Sequence, residues 1–347
     1  MMETLMQQEE LNPSRVMEIG MGFWSSKVLL AATNLGLFTL LSEERLSGSE
    51  IGTRLGLHER GLYDFLDTLV ALGFLTRAGI KETSVYQNSP EAELFLDKKK
   101  PTYMGGLLEM CNNRIYRFWA DLEEGLKTGK PQNEVKTGGK PVFEMIYSDP
   151  AKMREFVMAM SGIQMGNFAK LAKEFDFSKY ETHCDIGGSG GHLSIQIALN
   201  NPHMKCTSFD LPVVTPVAKE IVGGCGLADS VTLAEGDFFK ESFPNADVIT
   251  MGNILHDWGR SDKKMLIKKA FDALPEGGSL VVIENIIDND RSQNAFGLMM
   301  SLNMLIETDE GYDFSGADFD ELAKEAGFKE TRVMPLTGPA SAAIAIK

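Results

Sequence analysis

The sequence predicts an α/β protein in which a mostly helical N-terminal domain precedes a larger domain of alternating strands and helices. The first hundred residues carry amphipathic helical patterns and one short hairpin, whereas apolar strand-like runs alternate with helical segments after about residue 180. The chain of 347 residues, with 43% hydrophobic and 24% charged residues, is long enough for two globular domains. We expect an N-terminal domain at 1–100, a helical bridging segment at 101–175 and a main domain at 176–347.

The N-terminal domain is predicted from helix and hairpin signals. Residues 47–50, Ser-Gly-Ser-Glu, have the spacing of a capping box, and residues 59–72 place apolar side chains on one face of a further helix. A hairpin within 74–87 completes a winged-helix pattern. Winged helices commonly bind DNA, but the candidate reading helix sets Arg60 against three acidic residues, which disfavours contact with a phosphate backbone. We therefore expect no nucleic acid partner.

Charge and cysteine usage narrow the class of ligand. The formal net charge of -15 opposes attraction to nucleic acids and anionic membranes, and no apolar run approaches the ~20 residues of a membrane span. Residues 1–10 lack the basic start and apolar core of a signal peptide, and the four cysteines form no CxxC pair. These features predict a cytoplasmic protein without disulfides, with no membrane partner and with a small molecule as its ligand.

Polar residues follow several predicted strands of the main domain. The strand candidates are the apolar runs at residues 183–186, 205–209, 231–233, 247–253, 279–283, 330–334 and 342–346. In open parallel sheets, ligands bind beyond the carboxyl ends of the strands, near the point where the strand order reverses. Asp185, Asp210, His256 and Glu284 lie at or just past such ends. We expect them to converge on one site.

A glycine-rich turn, Asp-Ile-Gly-Gly-Ser-Gly-Gly at 185–191, separates the first of these strands from a predicted helix. Its spacing does not match the dinucleotide fingerprint GxGxxG, and His192 follows it where a P-loop needs lysine and then serine or threonine. The carboxylate of Asp185 would repel a phosphate, so the turn favours a cationic ligand. A simpler alternative is a glycine-rich bend in which Asp185 caps the following helix.

Two further acids indicate what the ligand is. Asp210 ends the next strand, where a carboxylate can accept hydrogen bonds from a ribose diol. Asp237 and Phe238 follow the third strand, where they can accept from an adenine amino group and cover the ring. The common cofactor with adenosine, a positive charge and no phosphates is S-adenosylmethionine.

Five segments together resemble one enzyme family. They are residues 185–191, Phe-Asp-Leu-Pro at 209–212, Glu-Gly-Asp-Phe-Phe at 235–239, Leu-His-Asp-Trp at 255–258 and Ser-Leu-Asn-Met-Leu at 301–305. The set resembles class I S-adenosylmethionine-dependent O-methyltransferases of the acetylserotonin and caffeate type and bacterial relatives that modify aromatic natural products. The resemblance covers nearly the whole chain. Ser189 replaces the family's usual glycine, and Gly252 stands where plant members have a cofactor-contacting lysine.

The resemblance implies a fold, partners and a cofactor. It implies a Rossmann-like, seven-stranded methyltransferase sheet with a winged-helix N-terminal domain that forms a homodimer. It also implies S-adenosylmethionine as cofactor and a small aromatic hydroxylated substrate. The residues that it assigns to the cofactor are Asp185, Gly187, Gly188, Gly191, Asp210, Leu211, Asp237, Phe238 and Asn253. Those that we assign to the substrate are Phe156, Met160, Asp257, Met299, Asn303 and Met304, although the methionines are also typical of an apolar core.

His256 is the candidate general base. A phenol with a pKa near ~10 is mostly protonated at neutral pH, and histidine, with a pKa near ~6.5, can accept its proton. Asp257, Glu284 and Asp313 are carboxylates that can orient the imidazole, and the family likeness matches Glu284 and Asp313 with its orienting acids. Asp313 is shorter than the glutamate often found there. A structural histidine at a strand end is the alternative.

Other functions stay open at this point. No group of residues has metal-ligand spacing in the sequence, so we predict no metal and no magnesium-dependent variant of the chemistry. Methylation at carbon or nitrogen, or a diverged reaction without methylation, is the alternative within enzymes. A cofactor-sensing DNA-binding regulator and an inactive dimeric scaffold are alternatives from other classes. Trp24 is a residue that can reach the partner's pocket or simply pack in an interface.

Overall fold

The computed structural model describes residues 11–347, and the chain divides into two compact units. One unit ends at Asn113 and the other comprises Arg114–Lys347. Residues 1–10, on which the signal-peptide expectation depends and with which the predicted first domain begins, lie outside the described residues. The predicted domain boundaries at 100 and 175 stay predictions.

The first unit is mostly helical and has a small antiparallel sheet. Its helices are α1 (Ser14–Asn34), α2 (Leu37–Leu41), α3 (Gly48–Leu55), α4 (Glu59–Ala71), α5 (Pro90–Phe95) and α6 (Gly105–Met110), and its strands are β1 (Leu46–Ser47), β2 (Leu75–Ala78) and β3 (Val85–Asn88). The strand order is β1-β3-β2. The predicted capping box is confirmed, because Ser47 and Glu50 exchange side-chain to backbone hydrogen bonds at the start of α3. Apolar residues of α2, α3, α4 and the sheet form one buried cluster.

The second unit alternates strands and helices. Its helices are α7 (Tyr116–Phe118), α8 (Leu122–Thr128), α9 (Val142–Tyr147), α10 (Pro150–Glu174), α11 (His192–Asn200), α12 (Thr215–Gly224), α13 (Arg260–Ala273), α14 (Ala295–Glu307) and α15 (Gly316–Ala326). Its strands are β4 (Thr182–Ile186), β5 (Lys205–Asp210), β6 (Val231–Glu235), β7 (Val248–Gly252), β8 (Ser279–Glu284), β9 (Glu330–Pro335) and β10 (Ser341–Ile346). Each of the seven predicted strands is present, with ends within two residues of the prediction.

The seven strands form one sheet in the order β6-β5-β4-β7-β8-β10-β9. Neighbours from β6 to β8 are parallel, and β10 runs antiparallel to β8 and β9. β8 is buried along its whole length, as expected for a continuous apolar run with helices on both faces. The order reverses between β4 and β7, so their carboxyl ends border the crevice where open α/β sheets bind ligands. The predicted fold class is confirmed.

Among residues 11–347, no helix is both long and apolar enough to cross a membrane.

Candidate active site

The glycine-rich turn connects the carboxyl end of β4 to the first residue of α11. Gly187 and Gly191 adopt φ values of 69° and 77°, in the left-handed region that favours glycine. A Cβ on Gly188 would lie 2.2 Å from the Ser208 Oγ and 3.2 Å from an Asp185 carboxylate oxygen. The turn therefore needs glycine for both conformation and space, and it leaves bare backbone at the start of α11.

Asp210 holds this turn against the end of β5. One of its carboxylate oxygens accepts the backbone N–H of Ser189 at 2.7 Å, and the other accepts the N–H of Leu211 at 2.7 Å. Ser189 itself has a φ of 50°, which a glycine adopts at lower cost. Each Asp210 oxygen keeps a second lone pair, so the carboxylate can brace the turn and still accept a ligand hydroxyl.

Asp185 lies beneath the turn and is almost fully buried. The Thr250 hydroxyl on β7 donates to an Asp185 oxygen at 2.6 Å, and the His183 Nε2 lies 2.9 Å from that hydroxyl oxygen. Since the threonine proton goes to the carboxylate, the histidine must donate, which leaves its Nδ1 unprotonated. Burial raises the pKa of Asp185 to about 7, with Thr250 opposing the rise and Asp210 adding to it. A cation beside Asp185 would favour the ionised form.

The adenine side of the predicted site is formed by loops after β6 and β7. Asp237 accepts the Phe239 N–H at 2.9 Å and pairs with Lys240 at 2.8 Å, and this ion pair keeps the pKa of Asp237 below its usual value. The Phe238 ring meets the edge of Trp258 with centroids 6.2 Å apart. Asn253 has a φ of 54°, and its side-chain oxygen is buried without a hydrogen-bond partner within the described residues. Asn253 therefore combines a left-handed backbone, which asparagine adopts more readily than most residues, with a buried acceptor that can take a further hydrogen bond.

His256 lies in a short 3-10 turn, Leu255–Asp257, just past β7, and is buried. Its Nδ1 lies 3.5 Å from an Asp313 oxygen and 3.7 Å from a Glu284 oxygen, while its Nε2 lies 3.6 Å from an Asp257 oxygen. The Nδ1, the nearby Glu284 oxygen and both Asp313 carboxylate oxygens have no hydrogen-bond partner within residues 11–347. A proton on Nδ1 directed at the two acids would leave Nε2 to accept another proton.

The electrostatics of this cluster favour a charged imidazole. Burial lowers the pKa of His256, but Glu284, Asp257 and Asp313 together outweigh burial and hold that pKa above its ordinary value. Burial also raises the pKa of Glu284 and of Asp257 above the ordinary carboxyl range, and the histidine opposes both shifts. The protonation of His256 therefore depends on that of Glu284 and Asp257, and theirs on that of His256.

The residues assigned to the substrate occupy two helices. Phe156 and Met160 lie on α10, where the Phe156 ring meets Phe143 edge to face with centroids 6.3 Å apart. On α14, Met304 is buried and Asn303 is partly buried, whereas Met299 is half exposed. Asp257, the sixth assigned residue, belongs to the histidine cluster. The assignments to substrate stay predictions.

Several site residues were missed in the sequence. The Trp119 indole N–H donates to the Asn303 side-chain oxygen at 2.9 Å, and the Thr250 hydroxyl donates to Asp185. His183 contacts that hydroxyl, and Lys263 of α13 donates to the Trp258 carbonyl. Their contacts join residues up to 184 positions apart in the sequence, so no local motif predicts these contacts. Buried polar residues inside otherwise apolar strands were the available signal for Thr250 and His183.

Tertiary structure also assembles a group that sequence spacing hid. Ligand-type atoms of His256, Glu284 and Asp313 lie within 4.8 Å of one another, close enough to share one cation. The positions of these residues in the sequence, 256, 284 and 313, do not show this grouping, because it depends on the fold. A proton on the His256 Nδ1 can interact with both Glu284 and Asp313 in place of a metal ion. The absence of a metal therefore stays a prediction.

The fold and site define a class of protein: an α/β protein with a glycine turn and carboxylates at the sheet reversal and a buried histidine just past the neighbouring strand. A family model for the O-methyltransferase domain matches residues 119–329, and a model for the O-methyltransferase dimerisation domain matches residues 17–98. The chain belongs to the S-adenosylmethionine-dependent O-methyltransferase family that its motifs predict. The predicted family is therefore confirmed.

Three similar proteins illustrate the range of the family. The tetracenomycin polyketide synthesis 8-O-methyl transferase TcmO of Streptomyces glaucescens is 38% identical over 96% of this chain and 97% of its own. The N,N-dimethyltransferase OxyT of Streptomyces rimosus is 30% identical over 90% of both chains. The crystal structure of human N-acetylserotonin methyltransferase in complex with S-adenosylmethionine has a TM-score of 0.90 and 28% identity, and the match covers 99% of each chain.

Proposed function

We propose that this enzyme transfers the methyl group of S-adenosylmethionine to a hydroxyl of a small aromatic molecule, with the His256 Nε2 as general base. The observation that carries the proposal is the buried histidine, surrounded by three carboxylates, at the carboxyl ends of the reversing strands. It supports a base because the acids stabilise the imidazolium that forms when a hydroxyl loses its proton.

The residues present fit the proposed cofactor. When bound, S-adenosylmethionine supplies an electrophilic methyl group on a positively charged sulfur. Asp185 and Asp210 offer carboxylates, and the turn from Gly187 to Gly191 offers backbone that a ligand can approach closely. Within residues 11–347, Asn253 offers a buried oxygen that has no hydrogen-bond partner. Asp237 and Phe238 are suitable for the adenine. We assign the cofactor-binding roles of these residues, with Leu211, on this basis.

The chain's contribution to catalysis is to move one proton and to hold two reactants in line. The three acids favour the charged imidazole, so the form that acts as base is the neutral imidazole, protonated on Nδ1 only. Its Nε2 accepts the hydroxyl proton of the acceptor as the oxygen–carbon bond forms and the carbon–sulfur bond breaks. Glu284 and Asp313 hold the Nδ1 proton and the resulting positive charge. The distances of 3.5 and 3.7 Å from the Nδ1 to these acids are longer than hydrogen bonds, and catalytic contacts of this kind commonly shorten in the reactive complex.

An aromatic acceptor suits the side chains near this centre. Phe156, Met160 and Met304 are apolar, and methionine adapts to flat rings. Because the Asn303 oxygen accepts from Trp119, its amide N–H groups remain to donate to an acceptor oxygen. The tetracenomycin relative is named for an 8-O-methyl transfer in polyketide synthesis, which supports a hydroxylated polycyclic acceptor.

The test compares His256→Ala with His58→Ala, a surface helix cap, using methyl-labelled cofactor and a panel of phenols and hydroxylated polycycles. We expect His256→Ala to lose about 10²- to 10⁴-fold in kcat while S-adenosylmethionine affinity stays within about twofold. Wild-type turnover in His256→Ala, with the true acceptor, would refute the assignment of the base. The matched His58 variant should keep full activity.

Methylation at nitrogen is the second candidate, and the dimethyltransferase OxyT, which matches this chain over 90% of its length, favours it. The same histidine would remove the proton of an ammonium. Paired phenol and amine acceptors with one ring system separate the two, because the mass and the carbon shift of the labelled methyl report the atom that received it. Labelled N-methyl product alone would replace our first candidate.

We further propose a homodimer formed through the N-terminal unit. The dimerisation-domain match and the exposed apolar side chains of α1 support it: Ile19, Phe23 and Trp24 are 75%, 52% and 61% exposed.

DNA binding is disfavoured, because Arg77 of the wing pairs with Asp67 of α4 at 2.6 Å rather than facing solvent freely.

A further inference from the structure

Lys263 is a fully buried lysine beside the catalytic cluster. It lies in the first turn of α13, and three other basic residues of that helix, Arg260, Lys264 and Lys268, form ion pairs at the surface. Burying an ammonium is costly unless it gains partners, so a buried lysine calls for an explanation. The proposed reaction does not use it.

The contacts of Lys263 lie in two segments, one that carries His256 and one that carries Asp313. The ammonium donates to the backbone carbonyl of Trp258 at 2.5 Å, directly after the turn that carries His256. It also lies 3.5 Å from the centroid of the Tyr312 ring and 5.7 Å from that of Phe314, the two neighbours of Asp313. One cation therefore contacts both segments whose side chains meet at the His256 Nδ1.

We propose that Lys263 is a positioning residue, which fixes His256 and Asp313 relative to each other by binding the Trp258 carbonyl and the rings on either side of Asp313. The segments are otherwise separated by more than fifty residues of chain. The ammonium also supplies positive charge near Asp257, Glu284 and Asp313, whose fields all stabilise it. Burial nevertheless keeps the pKa of Lys263 below its usual value, at about 8.

The expected effect of Lys263 on the reaction rate rests on the proposed role of His256 as base. The expected effect of Lys263 on the placement of His256 and Asp313 does not depend on that role. An orienting acid that shifts by about 1 Å can cost on the order of 10²-fold in rate without weakening substrate binding. Lys263 thus acts through His256 and touches neither reactant.

The experiment uses Lys263→Met, which keeps an apolar stem and removes the ammonium, and Tyr312→Leu, which removes the ring that faces it. Lys264→Met is the matched control, since Lys264 is the next residue and pairs with Glu325 at the surface. The first readout is exchange of the His256 Nδ1 proton with water by NMR, assigned with His256→Ala. We expect exchange at least about tenfold faster in both test variants and unchanged exchange in the control.

The second readout is kinetic. We expect Lys263→Met to lose at least about tenfold in kcat, with the acceptor KM and the S-adenosylmethionine Kd within about twofold of wild type, and Lys263→Arg to recover most of the loss. Folded Met and Leu variants with wild-type exchange and kcat would overturn the proposal, as would an Arg variant that loses as much as the Met variant. The NMR measurement needs no acceptor. An exchange effect in an enzyme that methylates nothing would therefore keep this proposal and reject the proposed function.

Discussion

Thr250 is the residue through which the cofactor side of the site can be tested most sharply. Its hydroxyl donates to the buried Asp185 at 2.6 Å and accepts from His183 at 2.9 Å. The Thr250→Val substitution keeps the shape of the side chain and removes both hydrogen bonds. Asp185 then loses the hydroxyl that opposes the rise of its pKa, and the carboxyl becomes harder to ionise.

The magnitude follows from the charge of the acceptor. A buried hydrogen bond to an ionised group contributes about 1.5–3 kcal/mol, so its loss raises the Asp185 pKa by roughly 1 to 2 units above the wild-type value. In the wild type that pKa is about 7, and a cationic cofactor favours the ionised form, so affinity rises with pH through neutrality. At pH 7 the ionised fraction of Asp185 then falls from about one half to between about a tenth and about a hundredth, so we expect Thr250→Val to bind S-adenosylmethionine about 5- to 50-fold more weakly.

The assay is calorimetric titration between pH 6 and pH 9 in buffers of different ionisation enthalpy. Wild-type protein should release a proton on binding at the lower pH values, and the variant should release it over a range displaced to higher pH. S-adenosylhomocysteine lacks the sulfonium charge and should lose less affinity. Thr232→Val, at an exposed position of the same sheet, is the control. Equal affinities and equal proton release in a folded Thr250→Val protein would refute the coupling.

Two further predictions concern the turn and the proposed dimer. Gly187→Ala should lower stability by about 1–2 kcal/mol and weaken cofactor binding, because its φ is 69° and its Cβ would lie 2.3 Å from Ile254. Gly224→Ala is the control, since its Cβ meets open space and should change neither property. Thermal melts and calorimetry measure both effects, and a Gly187→Ala protein that melts at the wild-type temperature contradicts the reasoning. Replacing Phe23 and Trp24 together by serine should convert a dimer to a monomer in light scattering, and an unchanged mass disproves the α1 interface.

The strands of the main domain could be predicted because their signal is local. The continuous apolar run at 279–283 is buried on both faces of the sheet, so burial and sequence agree along β8. The glycine turn could also be predicted from the local sequence. Gly187 has a left-handed backbone and Gly188 is closely packed, so few other residues fit these positions. The prediction of the fold class and family rested on these elements.

The contacts of the candidate site were harder to predict, for a physical reason. Lys263 sits in the segment Arg-Ser-Asp-Lys-Lys, which is typical of an exposed first helical turn, yet its side chain is buried against Tyr312. Trp119 and Asn303 meet across 184 residues. Such pairs depend on how helices pack on the sheet, and helical periodicity specifies a buried face without specifying its partner.

By itself, the sequence determined the α/β class, the strand after which each candidate site residue follows, and the family to which the protein belongs. It did so because backbone conformation, burial and motif spacing are properties of neighbouring residues. Only the tertiary structure decided that His256 faces three acids, that Thr250 supports Asp185, and that Lys263 joins two distant segments. Those are relations between elements, and they exist only after strands from both sides of the reversal are brought to one edge of the sheet.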